Sequence, residues 1–469
     1  MSISPHSHKL IPAGLLTGLL TLALSHGAWA QGSAATVTAE DIPLESEQAP
    51  IVSEQESSGD IAQPSTAPNN GGPQTADIET APSPDEPAAA LSEAEQARVI
   101  ADSAAVSQYR NVIDTLEVEG GAYAQQLPEQ LLGLGLSLQQ QGRHPEAIDA
   151  FKRGVHLSRI NDGLYGAGQL PLLEAQITSH VAQGEFEEAD ERQTYLYRVQ
   201  RRTMGVGDAR VNALMQQAQW QRQAYELGLS EYGFTRLLAM WDLYRQALTD
   251  IADREGENSP KLLEPLYGML RSQYLIAGFS GEMASGGFTS EAFGARQEEN
   301  RFNAYKTSAY KRGQSVINAI YNLNQQNSDG NKLQSARDLR MLGDWQFWHG
   351  RKQGALTTYR TAIMELAERD DAQEQTRRLF GNAEPLPNLA GVRALPDTGS
   401  PEQADLLLEF GVTAGGRVVD LDRVDEGPES SKINRLMRQL RNTRFRPRFE
   451  EGEPVDSEIT GWAYDTSTW

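Results

Sequence analysis

A chain of 469 residues with 64 acidic and 42 basic side chains, for a net charge of −22, has length for more than one packed unit. That charge disfavours a surface built to neutralise nucleic-acid phosphates. With 0 cysteines, a disulfide framework, a lipid-carrying cysteine and thiolate metal sites are excluded.

In chain order, Lys9 precedes an apolar run over residues 10–24, and Ala28-Trp29-Ala30 stands directly before Gln31. A basic flank, a short apolar stretch and a small-x-small site are the parts of a secretory signal peptide. Residues 1–30 are therefore expected to be removed by cleavage between Ala30 and Gln31, with Ala28 and Ala30 as the small residues. The run is shorter than the roughly 20 apolar residues of a spanning helix, and Pro12, Gly14 and Gly18 interrupt it. Export without cysteines points to a Gram-negative periplasm. If the segment is retained, it is instead a membrane anchor.

Residues 31–95 contain no Lys or Arg and are dominated by Pro, Ser, Ala, Asp and Glu. Such a stretch buries too little apolar surface to offset its chain entropy, so a disordered acidic linker is expected.

Residues 96–375 read as helical. Leu131, Leu134, Gly135, Gly142, Ala147 and Phe151 form one spaced set, Leu339, Leu342, Gly343, Gly350, Ala355 and Tyr359 repeat it, and Gly184 with Ala189 begins a weaker copy. Small residues let two helices approach, and the aromatic fills the gap between neighbouring units. The spacing resembles the tetratricopeptide repeat (TPR), which implies an α-solenoid whose concave surface binds peptides. Residues 235–251, 261–277 and 302–322 look like degenerate repeats with longer arms, and the Gly- and Ser-rich stretch 278–294 like a loop.

A Pro-rich linker over 376–404 is expected to lead to a small domain over 405–469. Leu406, Leu408, Phe410 and Val412 alternate with 405, 407, 409 and 411 as in a half-buried strand. Residues 413–416 form a turn, and the irregular apolar pattern over 417–424 suggests a second strand with a bulge. Ile433, Leu436, Met437 and Leu440 mark an amphipathic helix, with Ser430 or Ser431 as its cap. In the stretch Arg444, Phe445, Arg446, Pro447, Arg448, Phe449, the arginines and the apolar residues fall on opposite faces, and Pro447 argues for a sheet edge. A last strand follows over 455–464.

The order of these elements, with Gly416-Arg417-Val418, Arg-Phe-Arg-Pro over 444–447 and Gly-Glu-Pro-Val over 452–455, resembles the C-terminal domain of the TonB energy-transducer family. Where that family usually carries Tyr-Pro ahead of the first strand, this chain has Glu-Pro-Leu-Pro over 384–387. The resemblance implies a ββαββ domain that takes an extended peptide from an outer-membrane receptor onto a sheet edge. It also implies Arg444, Phe445, Arg446, Pro447, Arg448, Ile459 and Trp462 as partner-binding residues, with other envelope proteins, outer-membrane receptors or parts of a TonB-like motor as partners.

Catalytic, metal and cofactor sites are not expected. Beyond residue 30, His144, His156, His180 and His349 are scattered and lack metal-ligand spacing. Gly278-Phe-Ser-Gly-Glu282 lacks the last glycine of a nucleophile elbow. Glu187, Glu188, Asp190 and Glu191 read as surface acids near a helix start. The sum is a non-enzymatic periplasmic scaffold or accessory subunit of a TonB-like system. A membrane-anchored energy transducer is the alternative, and an envelope enzyme is third.

Overall fold

Two helix pairs of this chain close where a glycine on one helix faces an aromatic ring on the other. The computed structural model describes residues 93–281, 290–327, 331–400 and 404–466, apart from 426, 428 and 429. The expectations for residues 1–30 and for 31–92 lie outside the described residues. Helix α1 (Glu93–Gly120) starts slightly ahead of the expected boundary. Five pairs follow: α2 (Leu127–Gln140) with α3 (His144–Asp162), α4 (Leu170–Ala182) with α5 (Phe186–Thr203), and α6 (Asp208–Glu226) with α7 (Gly233–Glu255). The last two are α8 (Leu263–Gly278) with α9 (Ser290–Asn327), and α10 (Lys332–Trp348) with α11 (Lys352–Ala367). The short α12 (Ala372–Phe380) closes the array.

A methyl group on Gly135 would overlap the Phe151 ring, and one on Gly343 the Tyr359 ring, so both pairs require glycine there. Between the helices, Gly142 and Gly350 sit at φ +71° and +77°, a region that costs other residues energy. Ala147, Ala189 and Ala355 are fully buried. The array is thus a TPR-like helical solenoid. Further pairings lie between units: Gly268 faces Tyr244, and Gly313 faces Trp345. One apolar cluster runs from α1 to α6 and a second from α6 to α10. The stretch expected as a loop over 278–294 is helical from Ser290 onward, and 282–289 lies outside the described residues.

In the C-terminal part, β4 (Leu406–Val412) is the middle strand of an antiparallel sheet, flanked by β5 (Val418–Arg423) and β9 (Thr460–Tyr464). The register of β4 on β5 shifts between Glu409 and Gly411, so Asp420 and Leu421 together face Phe410, and Asp420 takes φ +51°. The Ser430 hydroxyl caps α13 (Ser431–Asn442) by accepting from the Ile433 N–H at 3.2 Å. Ile433, Leu436 and Leu440 of that helix pack on Leu406, Leu408 and Phe410.

The rest departs from the expected ββαββ order. After α13 come three short strands, β6 (Arg444–Arg446), β7 (Arg448–Glu450) and β8 (Glu453–Val455), none of which joins the main sheet. Pro447, which cannot donate to a ladder, separates β6 from β7. The expected linker over 376–404 is structured as well. It contains part of α12, then β1 (Glu384–Leu386), which pairs with β6, and a hairpin of β2 (Asn388–Leu389) and β3 (Val392–Arg393).

Candidate functional site

The stretch read from sequence as a partner-binding edge is folded inward against the last helix pair. Arg446 is 1 % exposed, and its Nη1 donates to Asp344 Oδ1 at 3.0 Å and Oδ2 at 2.8 Å. The Tyr359 hydroxyl donates to the same carboxylate at 2.8 Å. Burial acts to lower the Arg446 pKa, but the Asp344 charge, followed by Tyr359 and Glu384, outweighs it and raises the value. Phe445 and Pro447 are buried, and the Arg444 guanidinium donates to the Trp348 carbonyl. Arg448 is half-buried and donates to Glu450 at 2.8 Å. A period of two correctly separated the arginines from the aromatics, but it carries no information about what covers each face. Here α10 and α11 cover Arg446, so Phe445, Arg446 and Pro447 are buried and not a surface for a partner, whereas Arg444 stays exposed.

Other contacts reinforce this junction. Lys352 Nζ donates to the Gly415 carbonyl at 2.9 Å, Arg360 pairs with Glu453 at 2.7 Å, and the Phe449 ring lies 5.4 Å from Tyr359 and 5.6 Å from Phe380. Gly416, at φ +75°, accepts from the Phe445 N–H at 3.0 Å, and a methyl there would overlap both the Phe445 carbonyl and the Phe347 ring.

The outer strands of the main sheet are β5 and β9, and it is the β9 edge that borders a groove. Leu407 turns its backbone toward the β5 side, since its carbonyl accepts from the Val424 N–H at 3.0 Å and its N–H donates to Asp425 Oδ2 at 3.0 Å. Ala463 stands opposite Leu407 and Gly461 opposite Glu409, so alternation turns the backbones of both away from β4. The Ala463 carbonyl is taken by the Gly399 N–H at 2.9 Å. Gly461 faces a groove of about 700 Å³ whose lining includes Glu384, Thr398, Arg448, Glu458 and Trp462. Ile459 is 55 % exposed at the start of this edge, and Trp462 stacks on Phe410 with ring centroids 5.0 Å apart. Of the predicted partner residues, the structure thus brings Ile459 and Trp462 to the open edge, with Arg448 on the groove wall.

A second contact surface was missed by sequence reasoning. Leu389 and Val392 of the β2–β3 hairpin pack on the apolar cluster of helices α6 to α10. At the tip, Gly391 has φ +84°, and a methyl there would lie 3.3 Å from Arg271 Cδ on α8 and 3.7 Å from Arg222 Cζ on α6. The available signal was the Ala390-Gly391 pair between two apolar residues, a hairpin turn hidden in a Pro-rich context.

The scattered histidines stay apart. His180 Nδ1 lies 2.6 Å from Glu185 Oε2, while the His349 ring sits among Tyr310, Trp345 and Trp348. Burial, then the charges of Arg444 and Arg351, pull the His349 pKa down to about 4. Burial pushes the Asp338 carboxyl up to about 6, against hydrogen bonds from Asn324 and Gln334. Asp190, read as a surface acid, is instead mostly buried: it pairs with Arg236 at 2.5 Å and accepts from Trp220 Nε1 at 2.7 Å, joining the second pair to the third. Among the described residues no group of three or more His, Cys, Asp or Glu is placed to hold a metal, and no helix is long and apolar enough to cross a membrane.

No protein-family model and no curated protein matches the chain. Among solved structures it is similar to a putative kinesin light chain with nearly identical TPR-like repeats from Podosopora anserina, at 14 % identity and TM-score 0.32, over 51 % of this chain and 95 % of that one. It is also similar to BtubC (BKLC) from P. vanneervenii, at 12 % identity and TM-score 0.35, over 66 % of this chain and 100 % of that one. The assignment of a TPR-like solenoid rests on the glycine–aromatic pairing and turn glycines within this molecule.

Proposed function

We propose that this protein is a non-enzymatic scaffold of the periplasm, an accessory subunit of a TonB-like transport or envelope system that captures an extended segment of an envelope protein on the β9 edge. The observation that carries the reading is the sheet order β5-β4-β9, which leaves the Gly461 backbone facing an open groove beside Ile459 and Trp462. Main-chain pairing along such an edge supplies affinity, and flanking side-chain pockets supply specificity. The TPR-like array supports the same class of function, since stacked repeats offer extended binding surfaces. The likeness of Gly416-Arg417-Val418 and of residues 444–447 and 452–455 to the TonB C-terminal domain supports the choice of system, and the signal-like residues 1–30 support the location.

The test is capture from Gram-negative envelope extract. The wild-type protein is expected to retain outer-membrane receptors or motor components of a TonB-like system, and a Gly461→Pro variant of unchanged melting temperature is expected to lose them. Equal capture by both proteins would sink the edge. N-terminal sequencing after fractionation tests the location. A start at Gln31 in soluble periplasm fits the accessory role, whereas an intact Met1 in the inner membrane replaces it with an anchored transducer.

A further inference from the structure

We propose that this protein docks on anionic phospholipid surfaces through an exposed basic face that runs from the end of α13 to the start of α11. The inference goes beyond the scaffold reading and concerns a surface separate from the β9 edge. Arg438 and Arg441 are exposed on α13, and exposed Arg444 follows them at the same three-residue step. The Arg444 guanidinium donates to the Trp348 carbonyl, which sets it beside the loop that carries exposed Arg351 and Lys352. Lys352 Nζ in turn donates to the Gly415 carbonyl at 2.9 Å, two residues ahead of exposed Arg417. Six cations from three segments are thereby gathered on one side. Among the described residues no carboxylate pairs with any of the six, and residues 431–448 contain no Asp or Glu. Their field reaches inward as well: after burial, the charges of Arg444 and Arg351 are what hold the His349 pKa down.

Helix electrostatics argue against a purely structural role. Lys432 stands in the first turn of α13, at the positive end of the helix dipole, and Lys432, Arg435, Arg438 and Arg441 are successive like-charge neighbours at i, i+3. Neutral residues would serve the helix better, and a local rule broken without gain to the fold marks a functional surface. The apolar side of the helix, Ile433, Leu436 and Leu440, is buried and leaves the arginines facing solvent. Guanidinium groups take phosphate or carboxylate in the same bidentate way, so geometry chooses between a membrane and an acidic peptide. None of the six lines the groove beside β9 or the one of about 820 Å³ beside α11 and α12. Cations standing on exposed positions of several segments meet a planar array of phosphates together, whereas an extended peptide relies on a groove or a sheet edge. The net charge of −22 opposes approach to an anionic surface, but at physiological salt charges more than about 8 Å apart are largely screened, so the local face governs docking.

The test is sedimentation of the full chain with vesicles of phosphatidylcholine alone or of phosphatidylcholine mixed with phosphatidylglycerol. Binding to the mixed vesicles only is expected, with loss in high salt. Each Lys or Arg at an anionic surface contributes about fivefold, so Arg417→Gln, Arg438→Gln and Arg441→Gln combined should weaken binding at least about tenfold. A control with the same charge change on α5, Arg198→Gln, Arg201→Gln and Arg202→Gln, should lose less than about twofold. Failure of the wild type to sediment with the mixed vesicles, or equal losses in the two triple variants, overturns the proposal. A fluorescent glutamate decamer is titrated in parallel. If the wild type binds it without binding vesicles, and the α13 triple variant does not, the face belongs to an acidic peptide and membrane docking falls. If that triple variant melts below the wild type, Arg438→Gln alone decides, since its side chain donates to the Asn434 carbonyl of its own helix at 3.3 Å. A loss of about fivefold then supports docking, and no loss refutes it. Because none of these readouts involves β9, they stand or fall separately from the envelope-capture test.

Discussion

Asp344 and Arg446, 102 residues apart in sequence, form a buried ion pair with Nη1 2.8 Å from Oδ2, and the Tyr359 hydroxyl completes the carboxylate's set. Removing one partner leaves the other charged and desolvated. Arg446→Ala or Asp344→Ala is therefore expected to cost about 3–5 kcal/mol, whereas replacing both by apolar residues of similar volume should cost much less. Urea unfolding of the three variants checks this, and single variants that unfold at the wild-type midpoint would contradict it.

The glycine–aromatic pairing predicts a contrast between two alanine substitutions. Gly343→Ala places a methyl into the Tyr359 ring, and overpacking of this kind costs about 1–3 kcal/mol. A smaller aromatic-site residue, as in Gly343→Ala with Tyr359→Leu, should recover part of the loss through coupling between neighbours. Gly142→Ala meets no atom within 4 Å, so only its φ of +71° is at stake, at about 1 kcal/mol. Thermal melts of these variants give the comparison.

Stability should fall in acid through His349. Unfolded, the imidazole protonates near its ordinary value of 6.5, and folded it does so only near 4. The unfolded chain thus binds the extra proton as pH drops through that window, so stability is present above about 6.5 and lost toward about 4. Because the ring is partly solvated, the expected loss is about 1–2 kcal/mol rather than the full shift. Asp338 acts oppositely: its folded value of about 6 lies above the ordinary carboxyl value of 3.8, so its contribution is present at low pH and lost as pH rises through about 6. Comparing wild type with His349→Gln from pH 4 to 7 isolates the histidine. The gap between them should widen in favour of the variant as pH falls, and parallel curves would count against the assignment.

Along β9, proline should discriminate the two sides of the strand. At Gly461 the N–H faces outward and nothing lies within 4 Å of an added Cβ, so Gly461→Pro is expected to leave stability within about 0.5 kcal/mol. Trp462→Pro breaks the ladder to Leu408 and removes the ring stacked on Phe410, at about 3 kcal/mol or more. Similar melting temperatures for the two variants would mean that the edge is assigned to the wrong residues.

Local rules written in the sequence determined the repeat units, the capped helix over 431–442 and the strand over 406–412, because each follows from spacing within about one turn or one pleat. Gly135, Phe151, Gly343 and Tyr359 are legible as repeat positions, but the aromatics, expected to fill the gap between neighbouring units, instead face the glycine of their own unit. Tertiary structure alone decided what covers each face. Arg446 alternates with Phe445 as an exposed residue would, and only the distant Asp344 turns it inward. The Pro-rich residues 384–393 carry weak local signals, and their strands exist because β6 and the helices α6 and α8 supply the pairing and the apolar surface. For the same physical reason, of the two stretches expected to offer an edge, the last strand borders an open groove while β6 of the arginine stretch pairs with β1: strand identity is a local property, whereas a strand's neighbours are set by contacts between residues far apart in the chain.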